Sequence, residues 1–467
     1  MSRRCWTRTS NASAASTLAI LIFIAVPANV QANQPDQFRV YTEAPRLFLR
    51  PQRLRLLRRE KGRSSARWTQ LETLIAGGAQ MKEPGLADAL VFATTGDKSA
   101  ARRAFEGAGD VRQAALVLDW CRDALSESER QALAKRLASA LGGDSATNIP
   151  AVRNRVLAAI AIADYDPSAT ASTLQQVISE WWRSQTAPAL RSGDRTLTYA
   201  ELYPFFEILH AIRDNLNIDL REDAPDYFKT LPLWYLTGFY PAPLESATTE
   251  YRIPSWNGEG EPDLTSAVVA RVAGLALVAS DTNAVEAQYV QSFLMQDRLM
   301  MRDPLGAPYE FLWANPYQPG LPYALLPPEF YDPLEGALFL RSSWDDDARW
   351  FGIVGGEFQL FDEGRVHVLE LRAAGGEPRP LQLGTVEVVQ ARVPMHFRAD
   401  SNTLFAVGLR PGAKYDVEIE DEEMQEFTAD RAGTLRLDLP KDRASEVYLS
   451  VAREAGSGPA AASQAAH

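Results

Sequence analysis

Between Pro51 and Gln296, apolar residues recur every three or four positions, the spacing of helices that bury one face. The pattern predicts helices over Pro51–Lys61, Ser64–Ala76, Gly85–Thr95, Lys98–Ala108, Asp110–Leu125 and Ser126–Leu141. It continues with Asn148–Ala163, Ser168–Ser184, Tyr199–Leu216, Pro225–Leu236, Leu264–Ala279 and Asn283–Met295. Start and stop signals agree with the periodicity. Pro51 falls in a first turn, and Ser126-Glu127-Ser128-Glu129 opens a helix that stops before Gly142-Gly143. Helices in pairs with uneven connections and no fixed-period repeat fit a closed (α/α)6-type helical toroid better than an open solenoid. The long polar connections Arg191–Thr198 and Pro241–Asp263 would gather at one mouth, where loops on a rigid scaffold usually carry sites.

Past Asp303 the texture changes. Pro304–Pro333 is dense in proline and aromatic residues and reads as a linker, taken as 304–335. A period of two then takes over at Ala337–Arg341, Trp350–Val354, Phe358–Phe361, Val366–Leu371, Thr385–Gln390 and Met395–Arg398. It recurs at Thr403–Val407, Tyr415–Ile419, Glu426–Ala429, Thr434–Leu439 and Glu446–Val451, with turn signals between. The fold class expected is therefore α+β multidomain. A helical toroid occupies 34–303, an antiparallel β-sandwich 336–455, and a Gly/Ala/Ser-rich tail, 456–467, is expected to be disordered.

The first 33 residues follow neither pattern. Arg3, Arg4 and Arg8 precede the apolar run Leu18–Val26, and Val30-Gln31-Ala32 ends on a small residue, so 1–33 reads as a secretory signal peptide. A secreted or periplasmic protein is expected, with no membrane insertion after cleavage. The full chain has 48 basic and 60 acidic residues, a net −12, and losing three arginines with the signal leaves about −15. That balance argues against nucleic acid as a partner. Cys5 leaves with the signal and Cys121 remains alone, so no disulfide framework forms and the fold must hold by core burial.

Three phrases carry a resemblance. Pro45-Arg46-Leu47-Phe48-Leu49 precedes a basic amphipathic helix; Ala115–Leu125 runs into Ser126–Arg130; and Leu338–Ala348 (LFLRSSWDDDA) opens the strand region. Together they resemble the entry segment, early helix pair and first β-domain strand of heparinase II/III-like and alginate-lyase-like polysaccharide lyases. The resemblance implies an acidic polysaccharide as partner and β-elimination as the reaction. An Asn or Arg neutralises the uronic carboxylate, and a Tyr takes the proton from the adjacent ring carbon. Asn148, Arg153, and Tyr199 or Tyr203 match that arrangement, with Trp256, Asn257, Trp313 and Arg155 as candidate sugar contacts. A tyrosine base needs its pKa lowered from about 10, as Arg153 or Arg155 could do.

The chain departs from that family where a histidine-bearing loop should follow the Ser342-Ser343-Trp344-Asp345 strand. Gly355–Gly364 holds no histidine there. His210, His367, His396 and His467 show no ligand spacing, so no metal or other cofactor is expected. Two other readings stay open: a non-catalytic glycan-binding or envelope-structural protein on a lyase scaffold, and a glycoside hydrolase. The hydrolase would take an acid from Ser255–Asp263 and another from Asp194 or Glu201. Asn148 before Ile149-Pro150 is also a ready helix cap, and Trp181-Trp182 and His210 read equally as packing residues.

Overall fold

The computed structural model describes residues 38–142, 147–242, 252–256, 264–296, 300–369, 380–420, 422–440 and 443–452. The expected signal peptide, the tail, Asn257 and the acidic part of its loop lie outside them. The helices are α1 (Pro51–Gly62), α2 (Ala66–Ala76), α3 (Pro84–Thr95), α4 (Lys98–Gly107), α5 (Val111–Trp120), α6 (Glu127–Leu141) and α7 (Ile149–Ala161). They continue with α8 (Pro167–Gln176), α9 (Ala187–Arg191), α10 (Tyr199–Leu216), α11 (Pro225–Thr237), α12 (Leu264–Ser280), α13 (Val285–Gln296) and α14 (Gly306–Trp313). Local chemistry sets the boundaries. Ser126 and Glu129 form a reciprocal capping box at α6, and Asn148 Oδ1 accepts the Ala151 N–H at α7. The Thr198 N–H donates to Glu201 at 3.1 Å, fixing the start of α10 at Tyr199 and leaving Pro204 inside the helix. Between α8 and α9 the backbone runs as a π-helical segment, Val177–Thr186, where one continuous α-helix was expected.

Helix neighbours follow an order that returns to its start. Packing runs from α3 to α5, α7, α10, α12 and α14, and α14 packs on α3 again. The helices α4, α6, α8 and α13 lie against members of that series, and α11 lies against α13. Paired contacts show that α10 and α12 run the same way: His210 meets the Ala276 carbonyl and Arg213 meets that of Ser280. The stretch read as a linker therefore contains α14, a member of the series, and a strand. Proline at 308 and the aromatics Tyr309, Phe311 and Trp313 hid the helix, because every α14 residue is buried and no polar face marks the period. The N-terminal segment closes the C-terminal ends of these helices. The Arg46 and Leu47 N–H groups both donate to buried Asp119 at 2.7 Å, and Trp120 donates to the Leu47 carbonyl.

The strands are β1 (Glu329–Asp332), β2 (Ala337–Arg341), β3 (Trp350–Val354), β4 (Glu357–Asp362), β5 (Arg365–Leu369), β6 (Leu381–Leu383) and β7 (Val386–Gln390). The rest are β8 (Met395–Ala399), β9 (Thr403–Val407), β10 (Lys414–Ile419), β11 (Gln425–Thr428), β12 (Leu435–Asp438) and β13 (Ser445–Val451). They form a meander β1-β2-β3-β4-β5 and two four-stranded sheets, β11-β10-β13-β8 and β12-β9-β7-β6. The expectation of a purely antiparallel sandwich needs correcting, because β7 and β9 pair in parallel. The sheet containing them has one apolar cluster shared with the meander and another with the third sheet. Burial on both faces explains why Leu404–Val407 reads as an unbroken apolar run and why Val386, Val388 and Val389 are all buried.

The meander joins the two halves by simple alternation. Leu338, Leu340 and Phe351 point to the other sheets, while Phe339, Trp350 and Phe361 belong to the helical core. Arg341 is 1% exposed and donates to the Phe239 carbonyl at 2.9 Å, and Trp350 Nε1 donates to Thr237 at 2.8 Å.

Candidate functional site

Four of the neighbouring helices bring charged and aromatic side chains to one buried point. The Arg112 guanidinium on α5 donates from Nε to both Glu207 oxygens at 3.0 Å and from Nη2 to Oε1 at 2.7 Å. Its Nη1 reaches Glu83, just before α3, at 3.0 Å. Glu207 on α10 also accepts from Arg153 Nη1 of α7 at 2.9 Å and from the Tyr203 hydroxyl at 2.7 Å. Tyr203, one turn before Glu207, accepts in turn from Arg112 at 3.1 Å and from Trp313 Nε1 of α14 at 3.2 Å. Tyr309 donates to Glu83. Two arginines face two glutamates, so the cluster is neutral overall.

Its electrostatics are those of a fixed network. Burial pushes the Glu207 carboxyl up, but Arg112 and Arg153 outweigh it and hold the group ionised, below its ordinary value. Burial and then Glu207 drive the Tyr203 phenol well above 10. The sequence reading asked for the opposite, a tyrosine lowered by neighbouring cations. Glu207 cancels that influence.

A second tyrosine stands in an open place. Tyr199 lines a cleft of about 890 Å³ between the start of α10, the end of α11, the start of α12 and the β1–β2 and β3–β4 hairpins. Its ring stacks on Trp234 with centroids 4.7 Å apart, and Phe239 meets it edge-on at 5.3 Å. The hydroxyl donates to the Tyr235 carbonyl at 2.8 Å, and burial raises its pKa well above 10. Trp256 and Phe339 complete the aromatic lining. The Trp256 backbone is gripped on both sides: its N–H donates to Tyr240 at 3.2 Å and its carbonyl accepts from Gln359 at 2.9 Å. Tyr240 donates to the same Gln359 at 2.8 Å. The clamp ties the helical half, the 252–256 segment and β4 together at the rim.

The charged members of the cleft are few. Arg431 is the one cation lining it among the described residues, and it is bound to Asp194 at 2.8 Å and to the Gly193 carbonyl at 2.9 Å. Gly193, at φ +70°, lies so close to the Leu334 carbonyl that any side chain would overlap it. Glu335, next along, has its carboxyl pushed up to about 7 by burial and then by Asp332. A carboxyl raised in the fold binds its proton more tightly there than in the unfolded chain, so stability is lost as pH rises from about 4.5 to 7. Glu335→Gln is expected to melt higher than the parent at pH 8. The gap should close below about pH 4.5, which a pair of melting curves against pH would check.

The sequence-predicted residues thus separate. Arg153 and Tyr203 meet on Glu207 and Trp313 donates to Tyr203, whereas Tyr199 and Trp256 line the cleft. Asn148 is an exposed helix cap, and Arg155 donates to Gln176 at 2.5 Å on the surface. Neither lines the cleft. Trp181 and Trp182 are both buried, donating to the Thr147 carbonyl and to Asp223. Among the described residues no group of His, Cys, Asp or Glu could hold a metal, and no helix is long and apolar enough to cross a membrane.

Arg112, Glu207, Glu83, Trp234 and Glu335 escaped the sequence reading. Glu207 had a signal, a lone acid inside the run Pro204–Ile212, one turn after Tyr203. Arg112 had one too, standing with Gln113 and Asp119 in a helix whose other residues are apolar.

No family model matches the chain, and no curated protein does. Among solved structures it is similar to the heparan sulfate lyase HepC from Pedobacter heparinus, with a TM-score of 0.36 and 12% identity, covering 79% of this chain and 76% of that one. It is also similar to a glycoside hydrolase, with a TM-score of 0.31 and 9% identity, covering 89% of this chain and 77% of that one. Both overlaps are slight.

Proposed function

We propose that this chain is an exported carbohydrate-active protein that grips a polysaccharide in the cleft between an (α/α)6-type toroid and its β domain. One observation carries the reading: Trp256, fixed by its backbone clamp, opens with Tyr199, Trp234 and Phe339 onto a cleft large enough for sugar rings. Stacked aromatic faces suit the C–H faces of a sugar, and the polar rim of Thr196, Thr198 and Glu335 suits its hydroxyls. Because Arg431 is already paired, this cleft reads sugar faces ahead of carboxylates.

Binding is placed ahead of β-elimination. Tyr203 is 6% exposed and donates to Glu207, and Tyr199 donates to a carbonyl, so neither hydroxyl is poised to take a proton. Hydrolysis is the second reading, favoured by Glu335. A carboxyl held at about 7 keeps its proton near neutrality, as a general acid must.

The test is incubation with a panel of neutral and uronic polysaccharides, followed by calorimetry. An ultraviolet-absorbing unsaturated product would restore elimination, and new reducing ends without that absorbance would establish hydrolysis. Binding alone, weakened about tenfold or more by Trp256→Ala, is the expected result, equivalent to about 1.4 kcal/mol. If no polysaccharide binds the parent, the proposal fails.

A further inference from the structure

A second cleft, of about 740 Å³, lies at the other end of α10, between α1 and the C-terminal ends of α10, α12 and α14. Its charge is unlike that of the chain as a whole. Arg50, Arg53, Arg55, Arg59 and Arg213 line it against only Asp214 and Asp281, an excess of three positive charges on a chain of net −12. His210 also lines it but is neutral, held down to about 3 by burial and then by Arg213.

Part of this excess has a structural explanation. Three helices end here, and cations suit helix C-termini. Arg50 donates to the Asp214 carbonyl at 2.5 Å, Arg53 to that of Trp313 at 3.0 Å, and Arg213 to that of Ser280. Asp281 is already engaged with Arg221 at 3.4 Å. Arg55 and Arg59 exceed what the helix ends need. Neither side chain makes a hydrogen bond or ion pair among the described residues, although Arg59 lies 3.9 Å over the Tyr317 ring. Arg50 and Arg53 likewise form no ion pair among the described residues, and a guanidinium carries five donor N–H groups. Burial lowers Arg53 to about 10, which marks a cation held without adequate compensation.

We infer that this cleft is a second binding site, for a ligand that presents carboxylate, sulfate or phosphate oxygens to Arg53, Arg55 and Arg59. Guanidinium forks match planar and tetrahedral oxyanions through paired hydrogen bonds. Trp313, which forms the floor beside Phe48 at 5.4 Å, adds an apolar wall for whatever carries the charge. The site is independent of the aromatic cleft, since the buried Arg112–Glu207 cluster stands between them along α10. A uronic or sulfated sugar chain and a free inorganic oxyanion share this chemistry.

Calorimetry on the full chain separates the two sources and tests the site. The titrants are sodium sulfate, sodium phosphate, a uronic-acid tetrasaccharide and a neutral tetrasaccharide of equal length. The anionic tetrasaccharide is expected to bind with an affinity that falls as salt rises. Arg55→Gln/Arg59→Gln, at exposed positions that leave the fold intact, should weaken it about tenfold, whereas Trp256→Ala should leave that component unchanged. Inorganic anions binding as tightly as the tetrasaccharide, and equally sensitive to the double variant, would make the ligand a free oxyanion at the same site. The inference is overturned if no anion binds, or if the double variant binds like the parent. It is equally overturned if Arg365→Gln/Arg398→Gln, on the β domain, weakens binding as much.

Discussion

Glu207→Ala is expected to cost the protein about 3–5 kcal/mol, the range for removing one partner of a buried ion pair. The magnitude follows from what is left behind. Glu207 is fully buried and receives Arg112, Arg153 and Tyr203, so deleting it leaves Arg112 with Glu83 as its one carboxylate and takes the ion-pair partner from Arg153 and the acceptor from the Tyr203 phenol. Arg112, 2% exposed, could find water only by unpacking α5 from α7. Two further variants separate charge from packing. Tyr203→Phe removes one donor and leaves the Trp313 N–H unpaired, at about 1–3 kcal/mol. Replacing Arg112, Arg153, Glu83 and Glu207 together with apolar residues of similar volume should recover much of the single-variant loss, since such swaps are often neutral or stabilising. Urea unfolding followed by helical circular dichroism reads all three. A Glu207→Ala midpoint within about 1 kcal/mol of the parent would mean the cluster is open to water and does not tie the helices together.

This cluster also shows why the fold was more legible than the site. Helix periods depend on burial of one face, and they located α1 to α7 and α10 to α13 within a few residues. The short apolar runs Ala337–Arg341 and Trp350–Val354, set between turn residues, located β2 and β3. What failed was either short or buried all round. The helix α14 has no polar face, β1 and β6 are three or four residues long, and the parallel pairing of β7 with β9 leaves no local trace. The π-helical segment holds Trp181 and Trp182, both buried, and its backbone is one that no spacing rule expresses.

Site residues are harder because their meaning lies in partners distant along the chain. Tyr199 and Tyr203 look equivalent in sequence, four apart at the start of one helix. One turn of helix sends the first into the aromatic cleft and the second against Glu207. Arg153 and Tyr203 both bind Glu207, and that carboxylate, after burial, raises the phenol rather than lowering it. Asn148 satisfies a helix end, a role its position before Ile149-Pro150 already announced.

The aromatic cleft exists only while the two halves stay together, and Trp350 is one of the residues that join them. Trp350→Ala is expected to cost about 3–5 kcal/mol, as large-to-small changes at fully buried tryptophans do. The ring is 0% exposed, stacks on Phe339 with centroids 5.7 Å apart, and takes Tyr240 edge-on at 5.2 Å. Its N–H also spans the boundary to Thr237, at the end of α11. Gly352, two residues on, has no room for a side chain because the Trp350 ring covers it. Removing the indole therefore leaves a cavity that meander and helices cannot fill by a small shift, and it releases Phe339 and Tyr240 together. Phe339 lines the cleft and Tyr240 holds the Trp256 clamp, so both walls loosen at once. Calorimetric melting should split from one transition into two, one for the helical half and one for the sheets. Polysaccharide affinity should fall at temperatures below both transitions, while anion binding at the distal Arg-lined cleft persists. Trp350→Phe keeps most of the packing and loses only the hydrogen bond, so it should fall between the parent and the alanine variant. A single transition at the parental temperature, with unchanged polysaccharide affinity, would show that the halves are held together elsewhere and that the cleft does not depend on this contact.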